Sequence, residues 1–118
     1  MNVSDRLKQF RCGKLDLCEY LKAVCDEIES KELQIKAFVP GTFDRDKIIK
    51  AAKELVAKYP HPPDRPALFG LPTGVKDIFR VHGFTTRCGS RLPALLFGGA
   101  EASCVSNAQK LEKDLIQV

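Results

Sequence analysis

No apolar run in this 118-residue chain approaches the ~18 residues that a membrane-spanning helix needs. The N-terminus does not read as a signal peptide. The five cysteines (Cys12, Cys18, Cys25, Cys88 and Cys104) are odd in number and include no CxxC pair. Together these absences argue against a disulfide framework and for reduced thiols that pack as small hydrophobes. A zinc site would want closer cysteine pairs and more histidine than His61 and His82, which stand far apart in expected loops. A dense basic face with aromatics between its charges is also missing. The net charge is only +4, from 19 basic and 15 acidic residues, and the signs are interspersed except between Lys47 and Lys58. The expectation is a protein of the cytoplasm or another reducing compartment, with no membrane, nucleic-acid or metal partner.

What remains suits one small domain. A length of 118 residues with 44% hydrophobic composition supports a core but hardly two of them. No internal repeat, low-complexity tract or linker divides residues 1–118, so they are read as a single unit.

Hydrophobic spacing places helices first. Val3, Leu7 and Phe10 keep helical intervals, with Ser4 as the expected N-cap and Gly13 as the break. A second helix is expected from Asp16 to about Lys31, with Leu17, Leu21, Val24 and Ile28 on one stripe and Cys18 and Cys25 sharing a face. Ile35-Lys36-Ala37-Phe38-Val39 reads as a short strand stopped by Pro40-Gly41. A third helix from Asp44 lines up Ile48, Ala52, Leu55 and Tyr59 and leaves Lys47, Lys50, Lys53 and Lys58 wet. Pro60, Pro62 and Pro63 end it, because proline cannot continue a helix. After the proline-rich loop His61–Ala67, an apolar, glycine-punctuated run from Leu68 reads as a strand ending near Lys76. Loops follow, then a last helix from Glu101 with Cys104, Ala108, Leu111 and Leu115 on one face. Strands alternating with helices make the expected class α/β, with parallel or mixed pairing.

Lys76 is the residue singled out for chemistry. It is the only lysine between Arg65 and Arg91. A lysine closing an apolar strand loses hydration, which favours its neutral amine, and a neutral amine can take a proton from a hydroxyl. The competing reading is a snorkelling lysine paired with Asp77 or left in water. A nucleophile is harder to find. Ser90 lacks a GxSxG elbow. Ser103 and Ser106 fall on the expected last helix, where hydroxyls are commonly solvated or bonded to backbone. Cys88 and Cys104 have no histidine close in sequence, and His82 reads as a surface imidazole before Gly83. Gly98-Gly99 lacks the GK[ST] that would make a phosphate loop.

The segments Leu68-Phe69-Gly70-Leu71-Pro72-Thr73-Gly74-Val75-Lys76-Asp77 and Gly83-Phe84-Thr85-Thr86-Arg87-Cys88-Gly89-Ser90 resemble the start of the amidase-signature domain. The resemblance is strongest over residues 36–112 and is closest to general amidases related to the A subunit of aspartyl/glutamyl-tRNA amidotransferase. It implies an N-terminal portion of an α/β/α fold with a mixed sheet and a helical N-terminus. It also implies hydrolysis of carboxylic amides without metal or organic cofactor, by a triad of serine, a serine after a cis peptide bond, and lysine. The lysine of the family's Val-Lys-Asp matches Lys76 and is the implied base. The family's two serines belong to a Gly-Gly-Ser-Ser-Gly-Gly-like run, and no such run occurs here. The match fades near Leu111, which reads as truncation, frameshift or alternative splicing. The expectation is therefore a segment that acts on a small-molecule amide only when completed, and is inactive alone. The alternative is a non-catalytic interaction module that self-associates through exposed sheet edges.

Overall fold

The computed structural model describes residues 2–111 and 116–117. Its first half is a layer of three helices: α1 (Val3–Arg11), α2 (Leu17–Ile35) and α3 (Arg45–Lys58). Each opens on a side-chain oxygen that accepts an N–H with no partner inside the helix. Asn2 accepts from Asp5 at 2.9 Å, Asp16 from Glu19 at 2.9 Å, and Asp44 from Lys47 at 3.0 Å. Ser4, the expected first cap, lies inside α1, because the extended backbone of Asn2 already aims its amide oxygen at the first turn.

The expected stripes supply most of the core, but Val3 is exposed, Val24 and Ile28 stay half-buried outside it, and Cys25 takes the inward position on α2. Phe10 of α1, Leu17, Leu21 and Cys25 of α2, Ile48, Ala52 and Leu55 of α3, and Phe69 from the following loop form one buried cluster. Fully burying an aliphatic or aromatic side chain contributes about 1.5–3 kcal/mol, so this cluster dominates the stability of the fold. The aromatic members meet edge to face. Phe69 sits 6.1 Å from Phe10 and 6.1 Å from Tyr59, and Phe10 sits 5.4 Å from Tyr20, measured between ring centroids. The four lysines expected to be wet along α3 are exposed. Arg45 ties α3 to α2 by donating to Asp26 at 2.6 Å and Glu29 at 2.8 Å.

The expected strand Ile35–Val39 does not form, and α2 runs past Lys31 to Ile35. Lys36 turns left-handed (φ 52°) and its N–H bonds back to the Glu32 carbonyl at 2.8 Å. The Glu32 carboxylate then accepts the N–H groups of Ala37 at 3.1 Å and Phe38 at 2.8 Å. A strand needs such donors for a neighbour. Here one acidic side chain consumes them locally, and the apolar run becomes a connection with Phe38 packed on Phe43.

Proline ends α3 as expected, and Pro62–Asp64 add a single 3-10 turn. Arg65 follows and joins three elements. Its guanidinium donates to the Phe10 carbonyl at 2.7 Å and the Tyr59 carbonyl at 3.4 Å, and lies 4.6 Å over the Phe69 ring.

The second half carries far less sheet than expected. β1 is only Pro72–Thr73, paired in parallel with β2, Ile116–Gln117, in the register Pro72 to Ile116 and Thr73 to Gln117. The strand expected to end near Lys76 stops at Thr73, and the described residues hold this two-stranded pair instead of a mixed sheet. Pro72 has no N–H to give a neighbour, and Gly70 and Gly74 flank it, so the segment is poorly suited to a longer ladder.

Ala94–Phe97 form a 3-10 turn and α4 spans Ser103–Leu111. Among the described side chains of α4 Val105 is buried, whereas Cys104 and Ala108 are exposed, which corrects that part of the expected face; the side chain of Leu111 lies outside the description. The orientation follows from Glu101, just before the helix. Its carboxylate accepts the His82 N–H at 2.9 Å and the Ser106 hydroxyl at 2.8 Å. Leu115, expected on the same face, lies outside the described residues. The chain exposes 8047 Å². A closed globule of its 13.1 kDa exposes about 6,400 Å² by the usual mass scaling. Part of the excess is apolar, with Ile78, Phe79, Leu92, Leu95 and Leu96 all exposed.

Candidate functional site

A cleft of about 460 Å³ lies between the α2–α3 connection and residues 74–86. Phe38 and Val39 line one side, Val75, Lys76 and Asp77 another, and Phe79, Val81 and Phe84 complete it. Its lining is well anchored. Val81 and Thr86 are buried, and the Thr86 hydroxyl donates to the Phe79 carbonyl at 3.2 Å. Lys47 places its ammonium 4.6 Å over the Phe84 ring.

Lys76 therefore lines a cleft, but it is exposed. The burial expected from a position at the end of an apolar strand is absent, because β1 ends before reaching it and no second layer covers it among the described residues. The competing pairing with Asp77 is absent too. Both Asp77 oxygens are taken by backbone donors, the N–H of Arg87 at 2.9 Å and of Gly89 at 3.2 Å, while its carbonyl accepts from Cys88 at 3.0 Å. These three bonds hold a tight turn in which Cys88 and Gly89 both have positive φ (53° and 64°) and Ser90 N–H donates to the Arg87 carbonyl at 2.9 Å. Two consecutive left-handed residues match a primed turn. Gly89 signals such a turn in sequence; the left-handed Cys88 and the role of Asp77 carry no sequence signal of their own.

The other candidates do not converge on Lys76. The Ser90 hydroxyl accepts from the Leu92 N–H at 3.0 Å, Ser106 donates to Glu101, and Ser103 is exposed at the start of α4. His82 is exposed, as expected of a surface imidazole, and His61 is exposed as well. The His82 N–H and the Ser106 hydroxyl hold the Glu101 carboxyl below its ordinary range, the backbone bond being the larger cause. Cys25 is buried and Cys18 half-buried, and burial pushes both thiols up; Cys12, Cys88 and Cys104 are exposed. Among the described residues no three His, Cys, Asp or Glu side chains are grouped so as to hold a metal ion. No described helix is long and apolar enough to cross a membrane.

A sequence model of the amidase family matches residues 19–111, which covers the cleft, Lys76 and the Asp77-held turn. The chain belongs to the amidase family. Among curated proteins, this amidase chain is 31% identical over 91 residues to the A subunit of glutamyl-tRNA(Gln) amidotransferase from Staphylococcus aureus (strain bovine RF122 / ET3-1), covering 77% of the chain and 18% of that protein. It is 28% identical over 92 residues to the protein of the same name from Carboxydothermus hydrogenoformans, covering 78% of the chain and 19% of that protein. The corresponding protein of Agathobacter rectalis is 32% identical over 85 residues, with 72% and 16% covered. The amidase segment thus spans less than a fifth of the length of these relatives. No solved structure matches the chain significantly.

Proposed function

We propose that this amidase-family chain contributes the lysine base of an amide-hydrolysing site, with Lys76 in that role. The observation that carries the reading is the family match over residues 19–111, with Val75-Lys76-Asp77 lining a cleft of about 460 Å³. In the chemistry the family resemblance implies, a neutral lysine draws a proton through a bridging serine from a nucleophilic serine. The alkoxide attacks the amide carbon, and backbone N–H groups of the serine loop hold the oxyanion. Lys76 is exposed in this chain, so the covering that favours a neutral amine has to come from the serine-bearing part of such a domain.

The 118 residues contain no Gly-Gly-Ser-Ser-Gly-Gly-like run. A base without a nucleophile has no covalent route, so the residues by themselves do not turn over an amide. The test is hydrolysis of a simple aryl amide by the purified 118-residue chain. Background rates are expected, and turnover abolished by Lys76→Ala would overturn the reading. The substrate is a small-molecule amide, and the free cysteines support a reducing, cytoplasmic setting.

One observation favours a second reading, a non-catalytic interaction module. Ile78, Phe79, Leu92, Leu95 and Leu96 expose apolar surface that a binding partner or a second copy could cover. A concentration-independent monomer that binds no apolar dye and melts sharply would argue against it.

A further inference from the structure

We propose that Asp77 is the positioning residue for Lys76, its carboxylate holding the lysine backbone where no sheet reaches. The consequence for turnover rests on the function proposed above; the holding of the backbone does not. The side chain of Lys76 has no hydrogen-bond or ion-pair partner among the described residues. Where its amine sits therefore depends on the backbone beneath it. Little holds that backbone from upstream. β1 ends at Thr73, and a Cβ added at Gly74 would meet nothing within 4 Å. Downstream, residues 76–79 are tied across to residues 86–89. Asp77 takes three successive N–H groups, Arg87 at 2.9 Å and Gly89 at 3.2 Å on its two carboxylate oxygens and Cys88 at 3.0 Å on its carbonyl. The Phe79 N–H closes a turn on the Lys76 carbonyl at 3.1 Å. The Phe79 carbonyl accepts the hydroxyl of the buried Thr86 at 3.2 Å.

This clamp calls for a carboxylate at its centre. A charged acceptor bonds an N–H roughly twice as strongly as a neutral one. The two oxygens of one planar group meet two N–H groups that lie two residues apart. Asparagine would turn its NH2 toward one of those donors, and glutamate would carry both oxygens one methylene further out. The clamp also sustains Cys88 in a left-handed backbone (φ 53°), a conformation that persists only where its surroundings hold it. The buried core cluster draws its members from residues 10–69. Loss of the clamp should therefore loosen Lys76 locally and leave the helical half folded.

The experiment compares the 118-residue chain with its Asp77→Ala, Asp77→Asn and Asp77→Glu variants by amide exchange, backbone NMR relaxation and circular-dichroism melting. Asp77→Ala and Asp77→Glu are expected to lower protection of the Arg87 and Gly89 amides by about ten-fold or more, the scale of a hydrogen bond to a charged group. Residues 75–79 should become mobile on the nanosecond scale, with helix melting as in wild type and Asp77→Asn in between. Unchanged protection and mobility in Asp77→Ala, or unfolding of the helices with it, overturns the proposal. Fusing residues 1–118 to the part of the Staphylococcus aureus relative beyond the matched segment adds the catalytic readout. There Asp77→Ala is expected to cost about 10²-fold in kcat for an aryl amide, as a displacement of about 1 Å does, with KM unchanged. Asp77→Glu should not restore it; rescue by glutamate would show that charge alone acts and would overturn the positioning role. If Lys76→Met abolishes turnover and Asp77→Ala does not lower it, this inference falls and the base assignment stands. If turnover is indifferent to Lys76→Met while Asp77→Ala loosens residues 75–79, the base assignment falls and the clamp on the Lys76 backbone stands.

Discussion

Replacing Gly70 with alanine should destabilise the fold through two separable effects. Gly70 is buried with φ +69°, and a Cβ built there lies 2.4 Å from Leu17 Cδ1 and 2.9 Å from Cδ2. The left-handed backbone costs an L-residue about 1–2 kcal/mol. The contact adds an overpacking cost of about 1–3 kcal/mol, because Leu17 is fully buried in the core cluster and has little room to retreat. The sum is about 2–5 kcal/mol, or a melting temperature lowered by roughly 8–20 °C at about 4 °C per kcal/mol for a domain of this size. A double-mutant cycle separates the parts. Leu17→Ala alone costs about 2–5 kcal/mol for its cavity. In that background Gly70→Ala should cost only the backbone share, about 1–2 kcal/mol, so the two changes are less than additive. Urea denaturation followed by circular dichroism reads all four corners. Equal cost of Gly70→Ala in both backgrounds refutes the close approach to Leu17, and a cost below about 0.5 kcal/mol refutes the left-handed, buried glycine as well.

Three further outcomes follow from the same geometry. Arg65→Ala should lose about 2–3 kcal/mol in denaturation, since it removes a charged hydrogen bond to the Phe10 carbonyl and the stack on Phe69, and Arg65→Lys should recover little of it. Alkylation read by peptide mass spectrometry should modify Cys12, Cys88 and Cys104 first and Cys25 last, because Cys25 is buried and its thiol is pushed up by that burial. Glu101 has its carboxyl lowered in the folded chain by the His82 N–H and the Ser106 hydroxyl. Its contribution is therefore present above the unfolded carboxyl value of about 4.3 and is lost as pH falls through the lower folded value. The protection of the His82 amide relative to its intrinsic exchange rate should fall below that window in wild type, and Glu101→Gln should remove that pH-dependent change in protection.

Much of the helical half is legible in the sequence, because its signals are local. The stripes of α2 and α3, the caps Asp16 and Asp44, and the proline stop after Lys58 all act within a few residues. The errors arise where a single side chain redirects the backbone. Ile35–Val39 has strand composition, yet Glu32 takes two of its donors. The α4 face is misread from spacing because Glu101 fixes the helix from outside it, and Val105 rather than Cys104 turns inward. The site is legible in part. Lys76 stands out through its isolation and its Val-Lys-Asp setting, and it does line a cleft. Its exposure is not legible, since that depends on how far β1 extends and on what covers it. Nor is the role of Asp77, whose partners lie 10 and 12 residues further along the chain.

The central claim is that Lys76 is the base of an amide-hydrolysing site. Its most direct test is the aryl-amide turnover of residues 1–118 fused in frame to the part of the Staphylococcus aureus relative beyond the matched segment, with Lys76 intact and as Lys76→Met. A serine-reactive fluorophosphonate probe verifies in both fusions that the serine loop is formed. The account predicts turnover with Lys76 and a loss of about 10³-fold or more with Lys76→Met, the scale seen on removing a member of a catalytic triad. Turnover that is unchanged by Lys76→Met, or a probe-reactive fusion that is equally inactive with and without Lys76, contradicts it.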